Sequence, residues 1–161
     1  MKRLLFPAAL SIILSTLTAG SATLAQAPLP AKMHPAKATD RSAAISSIQA
    51  QLKAFGRDDY KTAVTYQSAG LKKNFPSPEA FRAMMTRTYP EFAHYKTATF
   101  GPAQSDATGT HLAVLAAITG QDGVKVRVVY LMVREAKIYR VEGVAGGAQL
   151  PLQDSGASRD V

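Results

Sequence analysis

The hydrophobic pattern of the chain changes near His94, and this change limits the folds open to it. Before that residue, Ile45, Ile48, Leu52 and Phe55 recur at spacings of three or four residues, which is typical of one apolar helix face. From His94 onward, apolar and polar residues alternate with the period of a strand. Because helices precede strands, the pattern predicts an α+β fold in which three N-terminal helices pack on a curved, mainly antiparallel sheet of four strands.

Capping residues divide the helical half of the chain. Asp40 is expected to cap a first helix that begins at the next residue and ends at Gly56, since acidic side chains favour N-caps and glycine favours helix ends. Either Asp58 or Asp59 is expected to cap a second, shorter helix that runs to Gln67.

The third helix has the strongest start signal. Residues 77–79 read Ser-Pro-Glu, a capping hydroxyl followed by a first-turn proline and an acid. The helix is expected to run to about Thr88 and to end at Tyr89, because a residue before proline is pushed out of the helical region. A short helical turn across 69–73 can precede it.

The strand half contains a turn that sets the register of one hairpin. Strands are predicted at 93–104, 110–119, 124–133 and 138–144, and Gly123 suits the left-handed position of a three-residue loop. That loop places four apolar pairs on one face: Ile118/Val126, Ala116/Val128, Val114/Tyr130 and Leu112/Met132. A four-residue loop at 134–137 that closes on Val133/Ile138 would place Tyr139 and Val141 on the same face.

The N-terminus predicts export. Lys2 and Arg3 precede an apolar stretch at 4–17, and small residues then lead to a cleavage site expected after Ala25. The alternative is a membrane anchor, but the uninterrupted apolar part is shorter than the roughly 20 residues that a spanning helix needs. We therefore expect a signal peptide at 1–25 and a periplasmic or secreted protein without a membrane span after cleavage.

Composition divides the rest of the chain. Residues 26–39 contain three prolines and are expected to form a flexible linker, and residues 146–161 are expected to form a disordered tail. Hydrophobic residues make up 47% of the chain, enough for a core in the single domain left at 40–145.

Charge and cysteine content exclude several functions. The absence of cysteine removes disulfides, thiol catalysis and thiolate metal sites. Without Lys2 and Arg3, 17 basic residues stand against 11 acidic ones, a net charge of +6 that is scattered along the chain. Since no basic stripe is present, we expect no nucleic-acid partner, and a small apolar or anionic ligand stays open.

The face of the predicted sheet opposite the helices is also apolar. It carries Leu115, Val129, Leu131 and Val133 as well as His111 and two basic residues. Its own loops and tails can shelter this outer face, or a second copy of the chain can cover it in a homodimer, because large exposed apolar patches usually mark interfaces. Both alternatives stay open.

Several short motifs occur in a fixed order, namely Ile48-x-x-Gln51-Leu52-x-Ala54-Phe55, then Phe75-Pro76-Ser77-Pro78-Glu79, Tyr89-Pro90 and Tyr139-Arg140-Val141-x-Gly143-Val144. Together they resemble domain-of-unknown-function family 4864, a group of small, often exported bacterial proteins. The resemblance implies a cone of the nuclear transport factor 2-like, cystatin-like superfamily, and it implies no reaction. One departure is Tyr139, where the family pattern has tryptophan.

The expected pocket lies in this cone, between helices and sheet. Its candidate lining residues are Tyr60, Phe81, Met84, Tyr130, Met132 and Tyr139. A proton shuttle would require a carboxylate or histidine in the cone, and none falls on the inward sheet positions. The paired Asp58 and Asp59 suit capping better than cation binding, and two strand histidines, His94 and His111, are too few for a metal site.

The sequence therefore favours a non-enzymatic ligand-binding or protein-interaction domain of the cell envelope, with no cofactor. The first alternative is an isomerase or hydratase that uses the cone. The second is an accessory subunit of an envelope assembly.

Overall fold

The computed structural model describes residues 32–146, which form an α+β unit with an open, antiparallel, five-stranded sheet. The strands follow one another in the order β1-β2-β3-β4-β5. They are β1 His34–Pro35, β2 Tyr95–Ser105, β3 His111–Gly120, β4 Lys125–Glu135 and β5 Ile138–Gly146. The helices are α1 Ala38–Phe55, α2 Tyr60–Ala63, α3 Ala69–Lys72, α4 Pro78–Thr88 and α5 Pro90–Ala93, with a 3₁₀ turn at Val64–Tyr66.

The start of α1 differs from the expected one. The N-cap is Lys37, which makes no side-chain capping bond, and Asp40 lies within the first turn. An acid there still favours the positive end of the helix dipole. Its carboxylate instead accepts a hydrogen bond from Arg134 of β4 at 2.6 Å. The Asp40 side chain therefore serves a long-range contact, so the expectation of a local cap is wrong.

The segment between α1 and α4 is held by two side-chain caps. The Asp59 carboxylate accepts from the Thr62 backbone N–H at 3.0 Å, and the Ser68 hydroxyl accepts from the Leu71 N–H at 3.0 Å. The Ser68 N–H donates to the Val141 carbonyl at 2.8 Å. That bond ties the segment to the edge strand β5, so Asp59 is the cap and the predicted second helix is broken into short pieces.

The expected start and end of α4 are confirmed, but the next strand begins later than predicted. Ser77 caps the helix through the Ala80 N–H, and Tyr89 ends it. Pro90 then occupies the first turn of α5, a position where the missing N–H of proline has no cost. The predicted strand at 93 therefore starts only at Tyr95.

The register of β3 against β4 is confirmed. Leu112, Val114, Ala116 and Ile118 pair with Met132, Tyr130, Val128 and Val126, in that order, and Gly123 has a φ of 83°. The inward members of these pairs form the core with one face of α1 and α4. Ile48 and Leu52, two of the predicted helix-face residues, are at most 1% exposed.

The register of β4 against β5 is shifted by two residues from the expected one. Glu135 pairs with Ile138 across a two-residue turn, so the expected four-residue loop is wrong. Ala136 takes a φ of 58° in this turn, a conformation that the sequence does not announce because alanine disfavours it. A shift of two preserves the face, so Tyr139 still points inward, now opposite Arg134.

The fifth strand lies in the segment expected to be a linker. His34 and Pro35 pair with Ser105 and Gln104, and α1 begins at Ala38. These pairings add a strand to the four that the sequence predicts, although two residues are too few to show a periodic pattern. The predicted signal peptide and all but the first residue of the predicted tail lie outside the described residues.

Candidate functional site

A cavity of about 40 Å³ lies between the helices and the sheet. Thirteen residues line it, and all but Gln51 are apolar or glycine apart from the hydroxyls of the two tyrosines: Gln51, Phe55, Leu71, Phe75, Phe81, Met84, Met85, Tyr89, Phe92, Tyr130, Val141, Gly143 and Val144. A space of this size holds one or a few water molecules, since about 10–15 Å³ suffices for one.

A bulge in β5 shapes the sheet side of the cavity. Met132 pairs with Val141 and Leu131 with Gly143, so Glu142 is an extra residue in β5. A bulge bends the strand and changes which side chains share a face. After it, Val144 pairs with Tyr130 and joins Val141 in the cavity wall.

The Tyr130 hydroxyl has no hydrogen-bond partner among the described residues. The side chain is 1% exposed, and its ring contacts Phe92 with a centroid distance of 6.2 Å. Burial raises the pKa of Tyr130 far above that of a free phenol, so the group is neutral at any physiological pH. A neutral phenol can donate one hydrogen bond, and Tyr130 is one of the residues that line the cavity.

Tyr139 lies on the neighbouring strand, and its hydroxyl has two hydrogen-bond partners. Its hydroxyl donates to the Gly109 carbonyl at 2.6 Å and accepts from Arg134 Nη2 at 2.5 Å. The Arg134 guanidinium also lies 4.7 Å from the centre of the Tyr139 ring and pairs with Asp40. Burial raises the pKa of Tyr139, and the positive charge of Arg134 opposes that effect.

The loop before β3 holds Gly109 in place for this contact. Asp106 accepts bonds from the Thr110 N–H at 2.8 Å, the Thr108 hydroxyl at 3.0 Å and His111 Nδ1 at 3.0 Å. Burial raises the pKa of Asp106, but these hydrogen bonds outweigh it and lower the pKa to about 2. Asp106 is therefore ionised at neutral pH and fixes the loop.

Three of the six pocket residues predicted from sequence line the cavity, namely Phe81, Met84 and Tyr130. Tyr60 packs behind Phe81 at a centroid distance of 6.0 Å, and Met132 and Tyr139 are buried elsewhere in the core.

Several lining residues were not predicted from the sequence, among them Gln51, Phe75, Tyr89 and Phe92. Phe92 could have been found from Pro90, since proline at a first helical turn predicts the short helix α5 that turns Phe92 inward. Phe75 lies between α3 and α4 and offers no periodic signal.

The other candidate groups do not form a cluster. Asp58 pairs with Arg82 at 2.7 Å, and the hydrogen bond from Arg82 lowers the pKa of Asp58. The hydrogen bond from Thr62 likewise lowers the pKa of Asp59. Within residues 32–146, no group of three His, Asp or Glu side chains could hold a metal ion.

The outer face of the sheet is largely covered within the single chain. Val129 and Leu131 are 1% and 5% exposed, and Leu115 packs half-buried beside them. Met33, just before β1, contributes to this second apolar cluster, and Val133 is also half-buried. The homodimer through this face stays a prediction, which light scattering on the purified chain would test.

Within the part of the chain that the structure describes, none of the helices has the length and apolar character required to cross a membrane.

Comparison with known proteins gives one match. No curated protein and no solved structure matches the chain significantly. A family model described as a domain of unknown function, DUF4864, matches residues 37–149, which is more than half of the chain and includes every residue of the cavity wall. The resemblance noted in the sequence is confirmed: the chain belongs to the DUF4864 family.

Proposed function

We propose that this domain binds a small molecule in the cavity between helices and sheet, with the Tyr130 hydroxyl as the polar anchor. The observation that carries the proposal is that this buried hydroxyl has no partner within residues 32–146, while Tyr130 belongs to a wall whose other residues are mostly apolar. A buried polar group without a partner destabilises a fold by about 1–3 kcal/mol. Phenylalanine would fill the same space without that cost, so a hydroxyl here is explained by a ligand that accepts its hydrogen bond.

The chemistry of the wall supports binding and not catalysis. The side chains that most often transfer protons are histidine, carboxylates and lysine within hydrogen-bond reach of the substrate. The lining residues include none of these, and Tyr130 is held neutral by burial. An isomerase or hydratase would therefore have to work with hydrogen-bond donors alone.

Two further features belong to the same proposal. The open antiparallel sheet with helices packed against one face supports a cone of the nuclear transport factor 2-like kind. The positively charged start and apolar stretch at 1–25 support export, so we place the binding domain in the periplasm or outside the cell.

A thermal-shift screen tests the proposal. Wild type, Tyr130→Phe and Tyr66→Phe are screened against neutral and anionic metabolites and lipids, and hits are measured by calorimetry. Tyr66→Phe is the matched control, because it removes the same hydroxyl from a half-buried tyrosine outside the cavity wall. A ligand that binds only the native state raises its stability by about 2.7 kcal/mol at 100 times the dissociation constant.

We expect hits that stabilise wild type and the Tyr66 variant alike and that lose at least about tenfold in affinity in Tyr130→Phe. Hits that bind all three proteins equally would contradict the proposal. So would a screen in which no compound raises the melting temperature of the wild type.

A further inference from the structure

Aromatic rings dominate the cavity wall. Six of the lining residues are aromatic: Phe55, Phe75, Phe81, Tyr89, Phe92 and Tyr130. Phe75 and Phe81 lie 4.9 Å apart and are tilted by 59°, and Tyr89 and Phe92 lie 6.0 Å apart, nearly edge to face. Because rings attract other rings in tilted and edge-to-face arrangements, this wall favours an aromatic ligand over a saturated one of equal size.

Two methionines add to this preference. Met84 and Met85 of α4 line the cavity, and thioether sulfur also makes favourable contacts with aromatic rings. Met85 is 7% exposed, whereas Met84 is half-buried. The wall thus offers ring edges, ring faces and sulfur to whatever occupies the cavity.

Charge is disfavoured in the same space. The lining residues have no basic or acidic side chain that could pair with an ionised ligand. Moving an ion out of water without a partner is costly, so an anionic ligand would lose more from desolvation than the Tyr130 hydroxyl could return. Of the two ligand types that the sequence leaves open, the wall favours the apolar one.

The cavity as it stands is smaller than one aromatic ring requires, so a ligand larger than a single ring does not fit and even one ring needs the wall to move. A cavity of roughly 150 Å³ accommodates benzene, and the space here is about 40 Å³. The additional volume has to come from movement of lining side chains that are only half-buried, such as Phe75 and Met84. Methionine has three rotatable bonds and can move aside for a single ring.

We infer that the ligand is a neutral molecule built on one aromatic ring and carrying one hydrogen-bond acceptor, such as a ketone or aldehyde, that reaches Tyr130. This inference rests on the proposed function and adds the chemical class. The ring lies among the aromatic residues of α4 and α5, and its carbonyl oxygen accepts from the Tyr130 hydroxyl.

Four probes of similar size separate the contributions. Acetophenone has the ring and the acceptor, ethylbenzene lacks the acceptor, cyclohexyl methyl ketone lacks the aromatic ring, and benzoate is charged. Their affinities for the full-length wild type, Tyr130→Phe and Tyr66→Phe are measured by calorimetry or ligand-detected NMR. We expect acetophenone to bind best and to lose at least about tenfold in affinity in Tyr130→Phe alone.

The remaining probes give the other expected results. Ethylbenzene should bind wild type and Tyr130→Phe within about threefold of each other, because it has no acceptor that could bond to the Tyr130 hydroxyl. Cyclohexyl methyl ketone should bind wild type at least about threefold more weakly than acetophenone. Benzoate should show no saturable binding.

The outcomes separate the inference from the proposed function. If cyclohexyl methyl ketone or benzoate binds as well as acetophenone and still depends on Tyr130, the ligand class is wrong and cavity binding stands. If acetophenone binds wild type and Tyr130→Phe equally, both the ligand class and the proposed function are overturned. If none of the four binds, the ligand class is wrong, and the library screen alone decides whether the cavity binds anything.

Discussion

Tyr130 and Tyr139 lie on adjacent strands, both point to the same face of the sheet and both are at most 2% exposed, yet only one has hydrogen-bond partners. The Tyr139 hydroxyl accepts a hydrogen bond from Arg134 and donates one to the Gly109 carbonyl. Tyr130 lines the cavity, and its hydroxyl has no partner among the described residues. The comparison teaches that equal burial can accompany opposite hydrogen bonding: the bonded hydroxyl stabilises the fold, and the unbonded one is the anchor in the proposed binding site.

The largest change in the free energy of unfolding is expected at Tyr139. Tyr139→Phe removes two hydrogen bonds, one of them to a charged guanidinium, and leaves the Gly109 carbonyl without its donor. We expect a loss of about 3 kcal/mol in the free energy of unfolding, measured by urea denaturation. A loss below about 0.5 kcal/mol would mean that solvent replaces both bonds and would end the contrast between the two tyrosines.

The pH dependence of stability tests the loop that holds Gly109, the residue to which the Tyr139 hydroxyl donates. Asp106 has a pKa of about 2 in the folded protein against 3.8 for an unperturbed aspartate, so its ionised form stabilises the fold above pH 4. That contribution, about 2 kcal/mol, is lost as the pH falls from 4 to 2. Urea denaturation from pH 7 to pH 2 should show this loss in wild type, and Asp106→Asn should reduce it. An Asp106→Asn profile with the same slope as wild type would assign the acid sensitivity to other carboxylates.

At the cavity, the corresponding substitution of Tyr130 is expected to raise stability and not to lower it. Tyr130→Phe removes a buried hydroxyl that has no partner in the described part of the chain, so the ligand-free protein should gain about 1 kcal/mol in its free energy of unfolding. Thermal and urea denaturation measure the change, with Tyr66→Phe as the neutral control. A clear loss of stability would show that the hydroxyl is bonded, for instance to a cavity water, and would weaken the case for a free ligand anchor.

A smaller gain is expected at Gln67. Both polar atoms of its amide lack a partner among the described residues, and the side chain is fully buried beside Val141. Gln67→Met keeps the shape and removes the polar atoms, so stability should rise by about 0.5 kcal/mol. Denaturation of the single variant and of the double variant with Tyr130→Phe would show whether the two groups share a solvated space. Additive changes indicate separate environments.

Local chemistry made a large part of the fold predictable. The β3–β4 register followed from alternation and from the glycine of one turn, and the start of α4 followed from Ser77 and Pro78. In each case the residues that decide the structure are neighbours in sequence, so their spacing carries the signal. The β4–β5 turn was mispredicted because Ala136 takes a conformation that alanine disfavours.

The cavity was only partly predictable, because its wall combines regular and irregular elements. Phe81, Met84 and Tyr130 follow from helix and strand periodicity, whereas Phe75 and Phe92 lie in a loop and in a four-residue helix that have no period to read. The bulge at Glu142, which brings Val144 into the wall, leaves no mark in the hydrophobic pattern.

The sequence by itself determined the α+β class, the inward face of each strand and the family to which the chain belongs. Only the tertiary structure decided which tyrosine is bonded. The network that holds Tyr139 joins Arg134 to Asp40, 94 residues away, and to Gly109 through a loop fixed by Asp106. No local pattern encodes such a contact, because the free energy of a buried hydroxyl depends on what the rest of the chain places within hydrogen-bond distance of it.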